Sequence, residues 1–522
     1  MSKQAHGSKL QGDLADGLRT EGGRIRAQDE QLPEGADVAP LARRGALWGV
    51  IAQVAQQLLS VAATVILARL LTPSDFGIVT ACITVLGFVQ LTMALGWQAA
   101  IVRRLDAGEE YLSSVFWVIA GFGTVLALAV ALLAPLLASL VGVPDAAPYL
   151  RVLGVVCVPS AAIAVPLGIL QGRLQLQRMN LVYIMTFVLY VVVQVALAAA
   201  GVGAWAIIVG MVVLSTTQFV GMCLAARWRP HLVFRRSLVG QDLGFASGLL
   251  VNNGLTYGVR NADYVVVGNL LGAATLGAYY VAYVLPQILR LRFTWAAGAV
   301  LYPMLVRSQS DQERTREVYY HTHLLLAWIG FPAMVGLAVV AEPVVRVFFG
   351  PQWSGAVAPL RWLALAALLE FVTFGPGMVA TARGEVRPLL HTNVVRMVLL
   401  VVGVVVAGLA FRTAEAVAAA VFLATLVWAV YQQVTLSRRL GLEFTPLRKG
   451  VLVFAGLSAV LAAVVLVVLR QLEPWPAIVQ LLACVVAGAA VYLGLGRLLF
   501  RGITSPLFGS MLRIVRSGFK AA

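Results

Sequence analysis

From about residue 45 to about residue 500 the chain alternates between apolar runs of about 20 residues and short polar, arginine-rich connections, which predicts a stack of membrane-crossing helices. The predicted spans lie at about 46–68, 76–97, 114–140, 149–170, 180–200, 203–225 and 243–268, then at about 276–303, 318–341, 357–380, 391–410, 415–436, 451–470 and 475–499. The runs are continuous, not short and alternating, so a transmembrane β-barrel is excluded. The fold class is therefore all-α: a polytopic membrane protein of about 14 transmembrane helices.

Loop charge orients the stack. With the N-terminus in the cytoplasm, the inside loops carry Arg103 and Arg104; Arg173 and Arg178; Arg227, Arg229, Arg235 and Arg236; Arg307, Arg314 and Arg316; Arg383 and Arg387; and Arg438, Arg439, Arg448 and Lys449. The outside loops carry single arginines, Arg69, Arg346, Arg412 and Arg470. This bias predicts both termini in the cytoplasm.

Sliding the chain on itself reveals a repeat. At an offset of 200, "ILARLLTPSDFGIV" (66–79) meets "VVGNLLGAATLGAY" (266–279), matching Leu70, Leu71 and Gly77 to Leu270, Leu271 and Gly277. At an offset of 210, residues 149–173 meet 359–383, matching Arg151, Pro166 and Arg173 to Arg361, Pro376 and Arg383. Six helices per repeat preserve the in–out sense, so the repeats are parallel, about an axis along the membrane normal. The expected organisation is a disordered cytoplasmic tail (1–44), an N-terminal six-helix bundle (45–236), a C-terminal six-helix bundle (237–440), helices 13 and 14 (441–500) and a cytoplasmic tail (501–522). Paired bundles of this kind are a transporter architecture, with substrate handled at their interface.

Composition agrees: 60% of residues are hydrophobic, 12% are charged and the mean hydropathy is +0.88. The net charge of +16 would suggest nucleic acid in a soluble protein. Here the basic residues fall in loops and report topology, so no nucleic-acid partner is expected. The four cysteines lie singly in apolar runs, with no metal or disulfide pattern.

Polar groups inside the spans carry the candidate chemistry, because a charge near the bilayer centre costs at least about 2.5–3.5 kcal/mol. The seventh span reads "NNGLTYGVRNAD", with Asn252, Asn253, Tyr257, Arg260 and Asp263 on or near one face. Arg260 and Asp263, at i,i+3, either neutralise each other or line a hydrated cavity. Gln53 and Gln57 occupy the related region of the first span. In the eighth, Arg290 aligns with Gln90, well inside the membrane, while Arg292 either faces the cavity or snorkels to the cytoplasmic surface. Glu370, mid-way along the tenth span, either pairs with an arginine or titrates as a coupling site. Arg151 and Arg361, near the outer ends of the fourth and tenth spans, either anchor at the interface or receive an anionic group. His321 and His323 read as solvated residues near a helix start. The interior set is cationic on balance, which suits phosphate or pyrophosphate. There is no GxxxxGK[ST], no HExxH and no carboxylate cluster, so no nucleotide site of that kind, no metal and no cofactor is expected.

"LARLLTPSDFGIVTACITV" resembles the signature of bacterial Wzx-type flippases of polysaccharide repeat units, in the multidrug/oligosaccharidyl-lipid/polysaccharide exporter superfamily. "VVVGNLLGAATLGAYYVAYVLPQI" is similar to its second-half counterpart, and "FFGPQWSGAVAPLRWLALAALL" resembles the segment between helices nine and ten. The resemblance implies a V-shaped pair of bundles working by alternating access. It implies transport of a polyprenyl-pyrophosphate-linked oligosaccharide from the inner to the outer leaflet of the bacterial cytoplasmic membrane, for lipopolysaccharide or exopolysaccharide assembly. The partners it implies are that lipid-linked substrate, membrane lipids and other polysaccharide-assembly membrane proteins. It does not supply a universal binding motif, so the residue choices above rest on their chemistry. The alternatives are a flippase for the peptidoglycan precursor, an ion-coupled small-molecule exporter, and a membrane polymerase or glycosyltransferase. The arginine-rich interior disfavours a cation exporter. An enzyme is disfavoured by the lack of a large outer loop or a carboxylate-bearing cytosolic domain.

Overall fold

A computed structural model describes residues 39–93, 101–102, 108–235, 243–308, 311–383, 386–441 and 444–499. At some of these positions, among them Asn252, Asn253, Arg260 and Arg292, only the backbone is described. Every long element is helical, and among the described residues there is no strand. The N-terminal half comprises α1 (Ala39–Leu70), α2 (Pro73–Met93), α3 (Gly108–Leu140), the broken span α4 (Pro144–Gly172), α5 (Leu176–Ala199) and α6 (Trp205–Ala226). Helix α1 begins inside the stretch expected to be tail; the rest of that tail, 1–38, and the tail 501–522 lie outside the described residues.

Leu243–Arg307 is one helical element interrupted at Gly272, whose φ of 81° favours glycine. Tyr264 and Tyr283 would stand about 28 Å apart along a straight helix, yet their rings are 5.7 Å apart. The chain therefore reverses at Gly272, and the element is a hairpin of α7 (243–271) and α8 (273–307). The described residues contain thirteen helices long and apolar enough to cross a membrane, with one window, Asn261–Leu291, running through this hairpin. That is where the count departs from the fourteen expected. Helices α9 (Gln312–Val339), α10 (Val357–Ala382), α11 (Val386–Phe411) and α12 (Ala414–Leu440) complete the second half. Helices α13 (Phe444–Gln471) and α14 (Ala477–Leu499) pack on α9, where Tyr492 donates to the Trp328 carbonyl at 2.9 Å.

The halves meet through α2 and the hairpin. A Cβ on Gly77 would fall 1.8 Å from the Ala273 carbonyl oxygen, and one on Gly277 would fall 1.9 Å from that of Pro73. The two contacts exchange under an offset of 200 residues. Two donors 200 residues apart also reach across the halves: Arg69 donates to the Val347 carbonyl, and Asn269 donates to the Leu140 carbonyl at 2.7 Å. Within each half an arginine closes the sixth helix. Arg173 reaches the Ala226 carbonyl at 3.4 Å and Arg383 reaches that of Leu440 at 3.2 Å, satisfying carbonyls that a helix C-terminus leaves unpaired. These two arginines thus do more than set loop charge.

The segment "TPSDFG" owes its residues to helix geometry. Thr72 caps α2, with Asp75 accepting from its backbone N–H at 3.0 Å and Thr72 Oγ1 accepting from the Asp75 N–H at 3.2 Å. This is a capping box with Pro73 in the first turn. The second Asp75 oxygen accepts from the Ala204 N–H at 2.9 Å, just ahead of α6. Phe76 meets Trp353 edge-on, with centroids 5.0 Å apart, while Trp353 donates to the Ala68 carbonyl at 2.8 Å. The blocks "TPSDFG" and "FFGPQW" therefore pack against each other.

Candidate functional site

Three charged side chains converge inside the second half. Arg290 Nε on α8 lies 2.8 Å from Glu370 Oε2 on α10, and Arg396 on α11 bonds the other oxygen, Oε1. The side chains of Arg290, Glu370 and Arg396 are only 20%, 18% and 24% exposed. The Arg396 guanidinium also sits 4.4 Å above the Trp428 ring of α12, a stacking that a planar guanidinium suits better than an ammonium. Trp428 is held in turn by donating to the Thr392 carbonyl at 3.0 Å. Two cations share one carboxylate, and a second buried carboxylate, Asp263 on α7, lies within electrostatic reach of Arg396. Each partner offsets the desolvation of the other, and removing Glu370 takes from both arginines the carboxylate they share.

Of the residues chosen from sequence, the structure brings Arg290 and Glu370 together. Asp263, 1% exposed, bridges the hairpin: it accepts from the Tyr279 hydroxyl at 3.0 Å and from the Tyr264 N–H at 3.0 Å. The expected pairing of Asp263 with Arg260, and the roles of Asn252, Asn253 and Arg292, involve side chains outside the described residues. The Tyr257 hydroxyl donates to the Thr84 carbonyl at 2.9 Å, tying α7 to α2. Gln53 is exposed and Gln57 half-buried on α1, while Arg151 and Arg361 are both exposed at related positions of α4 and α10.

Sequence reasoning missed Arg396. Its signal was available: it is a charge within the apolar run "NVVRMVLLVVGVVV", and Glu370 needed a cation. His323 also differs from expectation, being 1% exposed instead of solvated. Pro376 has no N–H, so the Val372 carbonyl four residues earlier loses its helical partner. His323 Nε2 supplies that partner. The ring fits because residue 375 is glycine: a Cβ there would lie 2.3 Å from His323 Nδ1. Among the described residues, no three His, Cys, Asp or Glu side chains gather as a metal site.

The fold is that of a polytopic helical membrane protein with an ion-pair cluster between its helices. Its backbone superposes on a structure of the lipid II flippase MurJ in an inward closed conformation. The TM-score is 0.70 at 14% identity, covering 88% of this chain and 99% of that one. An inward-facing multidrug resistance MATE transporter of the MOP superfamily matches at a TM-score of 0.58 and 18% identity, over 76% of this chain and 96% of that one. The model of the polysaccharide biosynthesis protein family matches residues 66–358, more than half of the chain, and the protein belongs to that family. It is 26% identical to the lipopolysaccharide biosynthesis protein WzxC of Escherichia coli (strain K12), over 70% of this chain and 74% of that one. It is likewise 26% identical to the succinoglycan biosynthesis transport protein ExoT of Rhizobium meliloti (strain 1021), over 85% of this chain and 90% of that one.

Proposed function

We propose that this protein is a flippase, carrying a polyprenyl-pyrophosphate-linked oligosaccharide from the cytoplasmic to the outer leaflet of a bacterial cytoplasmic membrane for surface polysaccharide assembly. The observation that carries the reading is the Arg290–Glu370–Arg396 cluster, two guanidiniums on one carboxylate held within the membrane between helices of one half. Two guanidiniums match the oxygens of a pyrophosphate. Glu370 holds them charged and oriented until the lipid headgroup competes for them. Arg260, Arg292, Asn252, Asn253, Gln53 and Gln57 belong in this reading to the route of the headgroup, and the polyprenyl chain stays in the bilayer.

The bundles 45–236 and 237–440 are the rocking units, and the contacts that exchange Gly77 with Gly277 support this division. The loop-charge bias supports both termini in the cytoplasm. The end bearing Gly77, Gly277 and Trp353 then faces outward and is closed. Exposed Arg151 and Arg361 would meet the departing anion on that side. The relatives' names, a transport protein among them, favour a carrier over an enzyme.

The test is mass spectrometry of polyprenyl-linked glycans in cells lacking the gene. Accumulated lipid-linked oligosaccharide with lost surface polymer is expected, restored by the wild-type gene and not by Arg290→Ala. No accumulation, with normal polymer, would overturn the reading.

A further inference from the structure

Among the described residues, the interior charge cluster lies in one half of the repeat. Arg173 and Arg383, which make equivalent contacts 210 residues apart, precede α5 and α11, and the same offset carried into these helices sets their residues against each other. Arg396 then corresponds to Thr186 and Glu370 to Ser160, while the offset of 200 sets Arg290 against Gln90 and Asp263 against Ala63. Each of these four charges faces a neutral counterpart in the first half.

A pocket lies in the first half where it meets the hairpin. A cavity of about 80 Å³ lies between α1, α2, α5, α6 and α8, lined by Ser60, Thr64, Phe76, Tyr190, Gln194 and Tyr280, with aliphatic side chains forming the rest of its wall. Among the described residues, no charged side chain lines it. Gln194 is 2% exposed, and its Oε1 accepts no hydrogen bond. An unpaired buried amide oxygen costs about 1–3 kcal/mol, and Gln194 Oε1 is open to a donor from the cavity, with the Tyr190 hydroxyl as its neighbour. Thr64, on the cavity wall, donates through Oγ1 to the Ser60 carbonyl at 2.8 Å, so its oxygen remains able to accept. Tyrosine and phenylalanine faces, an amide and two hydroxyls, with no charge, are the groups that bind a neutral polyhydroxyl ring. Phosphate would find no cation there. The cavity has room for several waters and is smaller than a sugar ring. Tyr280 closes it from the opposite half, so parting the halves at this end would open it.

Resting on the flippase reading, we propose that Gln194, Thr64, Ser60 and Tyr190 form a subsite for a neutral sugar of the glycan. The pyrophosphate is held separately, by the arginines of the second half. The two bundles thereby divide one amphiphilic headgroup, sugar on the first and anion on the second.

The test uses the full chain in lipid nanodiscs and measures Kd for polyprenyl pyrophosphate, bare or carrying one glucose, galactose or N-acetylglucosamine. The wild type should bind at least one glycosylated lipid more tightly than the bare one. Gln194→Leu and Thr64→Val should each abolish that gain while changing the affinity for the bare lipid less than about twofold, which also reports intact folding. Arg290→Gln should weaken both lipids alike. The proposal is overturned if the wild type shows no gain with any sugar, if both variants retain the gain, or if they weaken both lipids equally. A wild type that binds neither lipid would instead refute the flippase reading itself.

Discussion

Gly77 and Gly277 face each other across the two halves, each against the backbone that precedes its counterpart: Ala273 for the first and Pro73 for the second. A side chain at either position has backbone, not a flexible side chain, in its way. Gly277→Val should therefore hold the halves apart at this end. Spin labels at Val202 and Arg412, both exposed in the turns after α5 and α11, should report a longer and broader distance distribution than in the wild type. Transport should fall at least about tenfold, equivalent to about 1.4 kcal/mol in the barrier. An unchanged distribution would mean that the halves do not separate here.

Glu370 links Arg290 to Arg396, so its removal leaves the two guanidiniums close together without the carboxylate they share. Glu370→Gln should bind polyprenyl pyrophosphate more tightly, because no internal carboxylate competes, and should turn over more slowly. Arg396→Ala should weaken binding about tenfold or more, the scale of a charge-assisted bond. Titration in nanodiscs measures both. Weaker binding by Glu370→Gln would show that the carboxylate organises the site without competing for it.

His323 repairs the hydrogen bond that Pro376 breaks. His323→Leu should destabilise the second half by about 1–3 kcal/mol, the cost of a buried unpaired carbonyl. The double variant His323→Leu with Pro376→Ala should recover part of the loss, since the second substitution restores a backbone N–H to donate to the Val372 carbonyl. Thermal unfolding in detergent, followed by intrinsic fluorescence, distinguishes these outcomes.

Asp75 serves two helix starts at once, through Thr72 and Ala204. Asp75→Ala should cost roughly the sum of two caps, each about 0.5–2 kcal/mol. Ser74→Ala, at an exposed position one residue away, should cost little. Equal melting temperatures for the two variants would remove Asp75 from its capping role.

Much of this was legible in one dimension. Helix positions follow from length and apolarity because a bilayer leaves backbone groups no partner outside a helix. The matches of Gly77 to Gly277 and Arg173 to Arg383 were visible as repeat matches. Their purposes were not, since a helix crossing and a C-terminal clamp need a neighbour distant in sequence. Arg290 and Glu370 stood out as intramembrane charges. Arg396 passed unnoticed beside loop arginines, and the link among the three spans 106 residues of chain between Arg290 and Arg396.

The sequence by itself determined the helical class, the reading of orientation from loop charge and the presence of interior charge, all properties of local composition against a fixed solvent thickness. Tertiary structure alone decided the reversal at Gly272, the meeting of "TPSDFG" with "FFGPQW", the burial of His323 and the sharing of Glu370 by two arginines. Each of these depends on which faces of distant helices touch. In an interior apolar nearly throughout, hydrophobic periodicity says little about that, and close packing with paired polar groups settles it.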